Sequence, residues 1–196
     1  MRNYGNLRTA VVRLLTVVTL AASGSVVTPM AAQAEGLFAF PFATGQSTYA
    51  AGTHTDTGRD GGVQNAIDFT PSDYTVRASM PGTVHMTYCS GGPWVRIDHA
   101  DGWNTGYYHL ENIQVSDGQW VNTGQVLGKV GNALPCGGYT TGPHVHFTVW
   151  RYGNPVDLNG LWLSSWRIET SNGQYGGSLT KNDGHRVGMP SRFQAY

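Results

Sequence analysis

In Gly142-Pro143-His144-Val145-His146-Phe147-Thr148-Val149-Trp150, β-branched and aromatic residues alternate from Val145 onward, the pattern of a β-strand. Side chains two apart leave a strand on one face, roughly 7 Å from each other. His144 and His146 therefore look out together, while Val145, Phe147 and Val149 point the other way into a core. Two imidazoles on one rigid face suit a metal ligand with a proton-handling neighbour. They equally suit a solvated strand face, and a bare His-x-His does not choose between the two.

The surrounding pattern is of one kind. Short β-branched or aromatic runs lie near Tyr74–Ala78, Thr83–Tyr88, Trp94–His99 and Trp103–Leu110, separated by turn pairs such as Pro81-Gly82, Asp101-Gly102 and Asp117-Gly118. Helix-period apolar patterns with caps are scarce. These features imply an all-β domain of antiparallel strands. Ala100-Asp101-Gly102 makes the last two runs a hairpin. At Ala66-Ile67-Asp68-Phe69 the alternation buries Ile67 and Phe69 and turns Asp68 to the open side, where a carboxylate needs a partner and a cation would serve. Residues 43–66, rich in Gly, Thr and Asp, read as a long irregular loop that carries His54. Residues 132–143 read as a second Gly-rich loop, and residues 170–196 as loop.

The N-terminus has the layout of a secretory signal peptide. Arg2, Arg8 and Arg13 precede an apolar run from Leu14 to Ala22, and Ala32-Gln33-Ala34 offers a small-x-small cleavage site. The run is too short to span a bilayer. The organisation expected is a signal peptide over residues 1–34, a domain over 35–165, and a C-terminal extension over 166–196 packed on it. The product is then secreted, with no membrane anchor. About 160 residues remain after processing, enough for one domain with its own core. Without the three leader arginines, nine basic residues face twelve acidic ones, a net charge of −3. No basic stripe is present, which argues against a nucleic-acid binder. The two cysteines, Cys89 and Cys136, are expected to pair in an exported chain. Closing a loop of that size is worth about 4 kcal/mol in the chain-entropy account. Ligation of a metal by Cys136 is the weaker alternative, since no second cysteine stands at ligand spacing.

A hydrolytic zinc site takes three protein ligands from His, Asp or Glu and leaves a fourth position open. Bound zinc lowers the pKa of its water to about 7, and a neutral imidazole nearby can then move protons. The blocks His54, Ile67-Asp68-Phe69, Tyr107-Tyr108-His109-Leu110 and Gly142-Pro143-His144-Val145-His146-Phe147 together resemble the lysostaphin-type zinc endopeptidases, in particular their β-lytic branch. The resemblance runs over residues 38–160, with the blocks in the family's order, and Val121–Gly131 is similar to the hairpin before its closing motif. It implies a duplicated-hybrid-motif fold, antiparallel sheets forming a groove with long loops. It also implies a Zn2+ cofactor held by His54, Asp68 and His146, with His109 and His144 as the non-ligand catalytic histidines. Many members carry the first two ligands as His-x-x-x-Asp, but here position 58 is Gly; the longer His54–Asp68 spacing is similar to the β-lytic branch. Asp56 and Asp60 remain alternative carboxylates.

The expected function is hydrolysis of peptide cross-links in bacterial cell-wall peptidoglycan, or of glycine-rich peptides, by a monomer. The competing expectation is a non-catalytic cell-wall-binding or regulatory module of the same fold. A lipoyl- or biotin-carrier reading of Val121–Gly131 is set aside because the hairpin tip has no lysine. Tyr175 is the candidate for stabilising the oxyanion, and Trp103 and Trp150 for lining a groove. His85 is expected to face outward or pack on a neighbour, His99 to hydrogen-bond its turn, and His185 to lie in the tail without a role.

Overall fold

The computed structural model describes residues 37–56 and 62–196. The signal peptide expected over residues 1–34 lies outside the described residues, as does Asp60. The first strands are β1 (Gln46–His54), β2 (Ala66–Pro71), β3 (Thr75–Arg77), β4 (Gly82–Cys89) and β5 (Gly92–Asp98). They are followed by β6 (Trp103–Tyr108), β7 (Trp120–Val121), β8 (Val126–Lys129), β9 (Val145–Arg151) and β10 (Asn154–Pro155). The last are β11 (Trp162–Leu163), β12 (Trp166–Glu169), β13 (Ser178–Lys181), β14 (Arg186–Gly188) and β15 (Ser191–Ala195). A single 3-10 turn at Ala100–Gly102 joins β5 to β6, as the hairpin reading required. Among the described residues no helix is long and apolar enough to cross a membrane.

Among the described residues the named strands pair with one another antiparallel throughout, and one parallel bridge joins Phe38 to Leu163. The main sheet runs β15-β1-β2-β9-β6-β5-β4-β7, with β10 attached to β9. A smaller sheet, β11-β12-β13-β14, and the pair β3-β8 complete the all-β fold. One face of the main sheet is the core. Ile67 and Phe69 of β2, Tyr107 of β6, and Val145, Phe147 and Val149 of β9 are fully buried there. Phe40 and Phe42 enter from the N-terminal segment, stacked on each other at 4.9 Å and meeting Phe69 edge-on at 5.9 and 5.2 Å. Each such ring withdraws enough apolar surface to contribute about 2–3 kcal/mol. The opposite face carries Asp68 and His146, as the period-2 reading predicts.

Two segments read as loop are strands. Residues 46–54 form β1, paired on one side with β2 and on the other with β15. The hydrophobic alternation is missing because β1 buries Thr48, Ala50 and Thr53, small side chains without a strong apolar signal. A bulge between Ala50 and Gly52 also shifts the period. In the tail, β13, β14 and β15 are three to five residues long, too short for a period to declare itself. The disulfide between Cys89 and Cys136 is present, and it ties the end of β4 to the loop over residues 132–143.

Gly52 explains how the tail meets the first strand. Its φ is +111°, and a Cβ there would sit on the backbone of Tyr175 and Gly176. The tail approaches this closely because Thr53 N–H donates to Gly176 O (2.9 Å) and Tyr175 N–H to Thr53 O (2.8 Å). Gly52→Ala should therefore lower the unfolding free energy by about 3 kcal/mol, combining backbone strain with overpacking. Gly45 also has positive φ (+84°) but faces open space; Gly45→Ala should cost only about 1 kcal/mol. Urea titration of both variants separates the two contributions.

Candidate metal centre

Three neighbouring strands bring the site together. Asp68 on β2 stands directly opposite His146 on β9, and His54 ends β1 on the far side of β2. Asp68 Oδ1 lies 3.1 Å from His54 Nε2 and 2.9 Å from His146 Nδ1. One donor atom from each of the three falls within 4.8 Å of the others. Zinc bonds of about 2.0–2.1 Å at tetrahedral angles place donors roughly 3.3 Å apart, so this spacing suits that ion. A second observation points the same way. Both ring nitrogens of His54 are buried and make no well-directed hydrogen bond among the described residues, Nε2 only approaching the Asp68 carboxylate at 3.1 Å. A buried imidazole left so costs stability unless something satisfies it. The two-His, one-carboxylate set is the donor chemistry of zinc.

His109 and His144 flank this cluster. His109 follows β6 at φ +64°, in the left-handed region, which bends the chain so that its ring turns toward β9. Its ring centroid is 4.5 Å from that of His144 and 6.1 Å from that of His146. His109 Nδ1 lies 2.9 Å from Ala133 O, and His144 Nδ1 lies 2.8 Å from Gly142 O. A carbonyl can only accept, so in both rings Nδ1 carries a hydrogen and Nε2 is the nitrogen left for the groove. His144 Nε2 is 3.6 Å from Asp68 Oδ2. Tyr175 closes the other side, its ring 4.4 Å from that of His54 and also at positive φ (+59°).

The charges oppose one another. Burial lowers His54 to about 4, against the pull of Asp68. Burial, with His144 beside it, lowers His109 to about 4. Burial works against the charged form of His146 too, yet hydrogen bonds to Asp56 and Asp68 outweigh it and raise the group to about 9. Burial would raise Asp68, but the hydrogen bond and charge of His146 hold it below its usual range. Burial and the charge of Asp68 raise Tyr175.

The five histidine and aspartate candidates thus meet in one place, on the floor of an open groove of about 1380 Å³. Its walls include Tyr49, Trp94, Tyr108, Tyr139 and Tyr175. Trp103 and Trp150, expected to line a groove, are not among its residues. Trp103 instead meets Phe38 edge-on at 5.3 Å and takes the Arg151 guanidinium at 4.7 Å. Trp94 lines the groove because it alternates with buried Val95 on β5, a signal the sequence did contain. His99 bonds across its turn through its backbone N–H, which donates to Trp103 O (2.8 Å), while its ring bonds Pro81 O and Thr105 Oγ1. His85 faces out against Asp98 at 3.0 Å, and His185 packs on Trp166 at 5.8 Å. Asp56 was open as a substitute ligand; its Oδ1 lies 2.8 Å from His146 Nε2, the nitrogen turned away from Asp68.

The chain is similar to known metallopeptidases. The family model described as Peptidase family M23 matches residues 62–158, a span that holds Asp68, His109, His144 and His146 but not His54. Beta-lytic metalloendopeptidase of Lysobacter enzymogenes is 33% identical over 163 residues, covering 75% of this chain and 90% of the relative. Protease LasA of Pseudomonas aeruginosa is 34% identical over 151 residues, covering 71% of this chain and 35% of LasA. The chain spans nearly all of the first relative and about a third of the second. The solved structure of a novel M23 metalloprotease, pseudoalterin, from the deep sea superposes with a TM-score of 0.71. That match is 29% identical and covers 80% of this chain and 97% of the other.

The opposed shifts give the metal-free protein a stability maximum. As pH falls from 6.5 to 4, the unfolded chain takes up protons that folded His54 and His109 refuse, so stability drops. As pH rises from 6.5 to 9, the unfolded chain releases the proton that folded His146 keeps, and stability drops again. Thermal melts of chelator-treated protein should peak near pH 6.5. In His109→Gln the acid-side decline should be shallower.

Proposed function

The chain belongs to peptidase family M23 and is a metalloendopeptidase, and on that premise we propose that it is a secreted zinc enzyme that cuts peptide cross-links in bacterial peptidoglycan, glycine-containing bonds among them. The observation that carries this reading is the convergence of His54 Nε2 and His146 Nδ1 on Asp68 Oδ1, at 3.1 and 2.9 Å. These three residues would hold the ion. When bound, zinc supplies a Lewis acid that polarises the scissile carbonyl and acidifies a water.

The protein's own groups do the rest. With Nδ1 engaged by Ala133 O and Gly142 O, His109 and His144 offer Nε2 to the groove. His109, lowered to about 4, is neutral at physiological pH and so can accept a proton from the attacking water. The proton so taken up goes to the leaving amine from the His109–His144 pair, whose rings lie 4.5 Å apart, so none is gained or lost over the cycle. Tyr175 keeps its hydroxyl hydrogen at neutral pH, because burial and Asp68 both disfavour ionisation. It can donate that hydrogen to the negative charge that develops on the carbonyl oxygen. The groove is open enough for an extended peptide, and its tyrosine walls give amphipathic contact surfaces. Export is supported by the leader's charged, apolar and small-residue order. Glycine-containing bonds are proposed on the resemblance to lysostaphin-type enzymes. A purely structural module has no observation in its favour, since no ligand or flanking histidine has been lost.

Zinc content and release of new amine ends from purified peptidoglycan separate the roles. His54→Ala, Asp68→Ala and His146→Ala should lose the metal. His109→Ala and His144→Ala should keep it while hydrolysis falls about 10²–10⁴-fold. Tyr175→Phe should keep it with kcat lowered about 10²-fold. Wild-type cleavage by His144→Ala, or activity that survives a chelator, would overturn the mechanism. Digesting one glycine-bridged wall and one directly cross-linked wall identifies the bond.

A further inference from the structure

His146 is held at both ends. Its Nδ1 faces Asp68 Oδ1 at 2.9 Å, on the side that His54 Nε2 shares, and its Nε2 meets Asp56 Oδ1 at 2.8 Å. The two nitrogens of an imidazole point apart, so a group on Nε2 cannot share an ion with Nδ1. Asp56 is therefore placed to act on the ring rather than to replace Asp68. Its position is built by the scaffold. Asp56 N–H donates to Oδ1 of the fully buried Asn65 (3.1 Å), and Thr55 N–H donates to Gln174 Oε1 (2.9 Å). Gln64 next to Asn65 donates to Ser171 O and Gly173 O, so the tail loop and the segment after His54 are fastened as one unit.

We propose that Asp56 is a positioning residue for the metal site: it accepts the Nε2–H of His146, fixing the tautomer that presents Nδ1 to the ion. A carboxylate on the remote N–H of a ligating imidazole orients the ring and raises the basicity of the ligand nitrogen. The inference rests on the reading of His146 as a ligand. It assigns Asp56 neither contact with the ion nor a part in proton transfer to substrate.

The test is zinc affinity, measured by competition with a chelator of known strength on wild type, Asp56→Ala, Asp56→Asn and His146→Ala. Circular dichroism of the metal-free forms confirms that each is folded. Asp56→Ala should still bind one zinc, 10–100-fold more weakly than wild type. Asp56→Asn, which keeps an acceptor oxygen without the charge, should fall between the two. The ring-nitrogen NMR shifts of zinc-loaded wild type should show His146 protonated at Nε2, and in Asp56→Ala that hydrogen should exchange faster with solvent. Equal affinity in wild type and Asp56→Ala would overturn the inference while leaving His146 a ligand. Loss of binding as complete as in His146→Ala would overturn it in favour of direct ligation. A wild-type protein that takes up no zinc would remove the premise together with the inference.

Discussion

The antiparallel register that sets Asp68 against His146 across β2 and β9 is the constraint on which the site depends. A one-residue slip of either strand would turn Asp68 or His146 into the hydrophobic core and bring Ile67 or Phe147 to the groove. That core is what forbids the slip. Phe69, Phe147 and the Phe40–Phe42 stack fill one side of the sheet, so the polar residues have only the other side available. The alternation that makes the strands also sorts the chemistry.

Much of this was legible in the sequence because it depends on period 2. Val145–Arg151 and Ala66–Pro71 show alternation strong enough to assign faces, and Asp68, His144 and His146 came out on the open one. The Trp94–His99 and Trp103–Leu110 runs matched β5 and β6 to within two residues. β1 was not legible. Its inward residues are threonine, alanine and glycine, and the bulge at Gly52 breaks the period just before His54. Pairings made through backbone alone leave no mark on side-chain pattern, which is why the contact between Thr53 and Gly176 could not be foreseen. Tyr175 was suggested by its distance from β9, but the register that brings it against His54 is a property of the fold.

The electrostatics follow from crowding. Three imidazoles each bring a ring nitrogen within 3.6 Å of the Asp68 carboxylate, in a place where water does little screening. Without a cation the arrangement is frustrated: His54 is pushed neutral and left without a well-directed hydrogen bond, while His146 is driven to keep a proton between two aspartates. A divalent ion held by these residues would resolve both, satisfying His54 and replacing that proton. The disulfide acts at the rim. Cys136 N–H donates to Tyr108 OH, which donates to Gly137 O, so the cross-link and the tyrosine together set one groove wall.

The pairing of β1 with β15 joins residues 46–50 to residues 191–195. During synthesis on the ribosome, the strand that ends in His54 emerges early but keeps a bare edge until some 140 further residues have followed. An unpaired edge is a template for other chains, and contacts this distant in sequence form late. A polypeptide interrupted just before β15 would hold all three candidate metal ligands on an incomplete sheet prone to aggregation. The outer edge of β1 is therefore closed only when the last strand of the domain has been made.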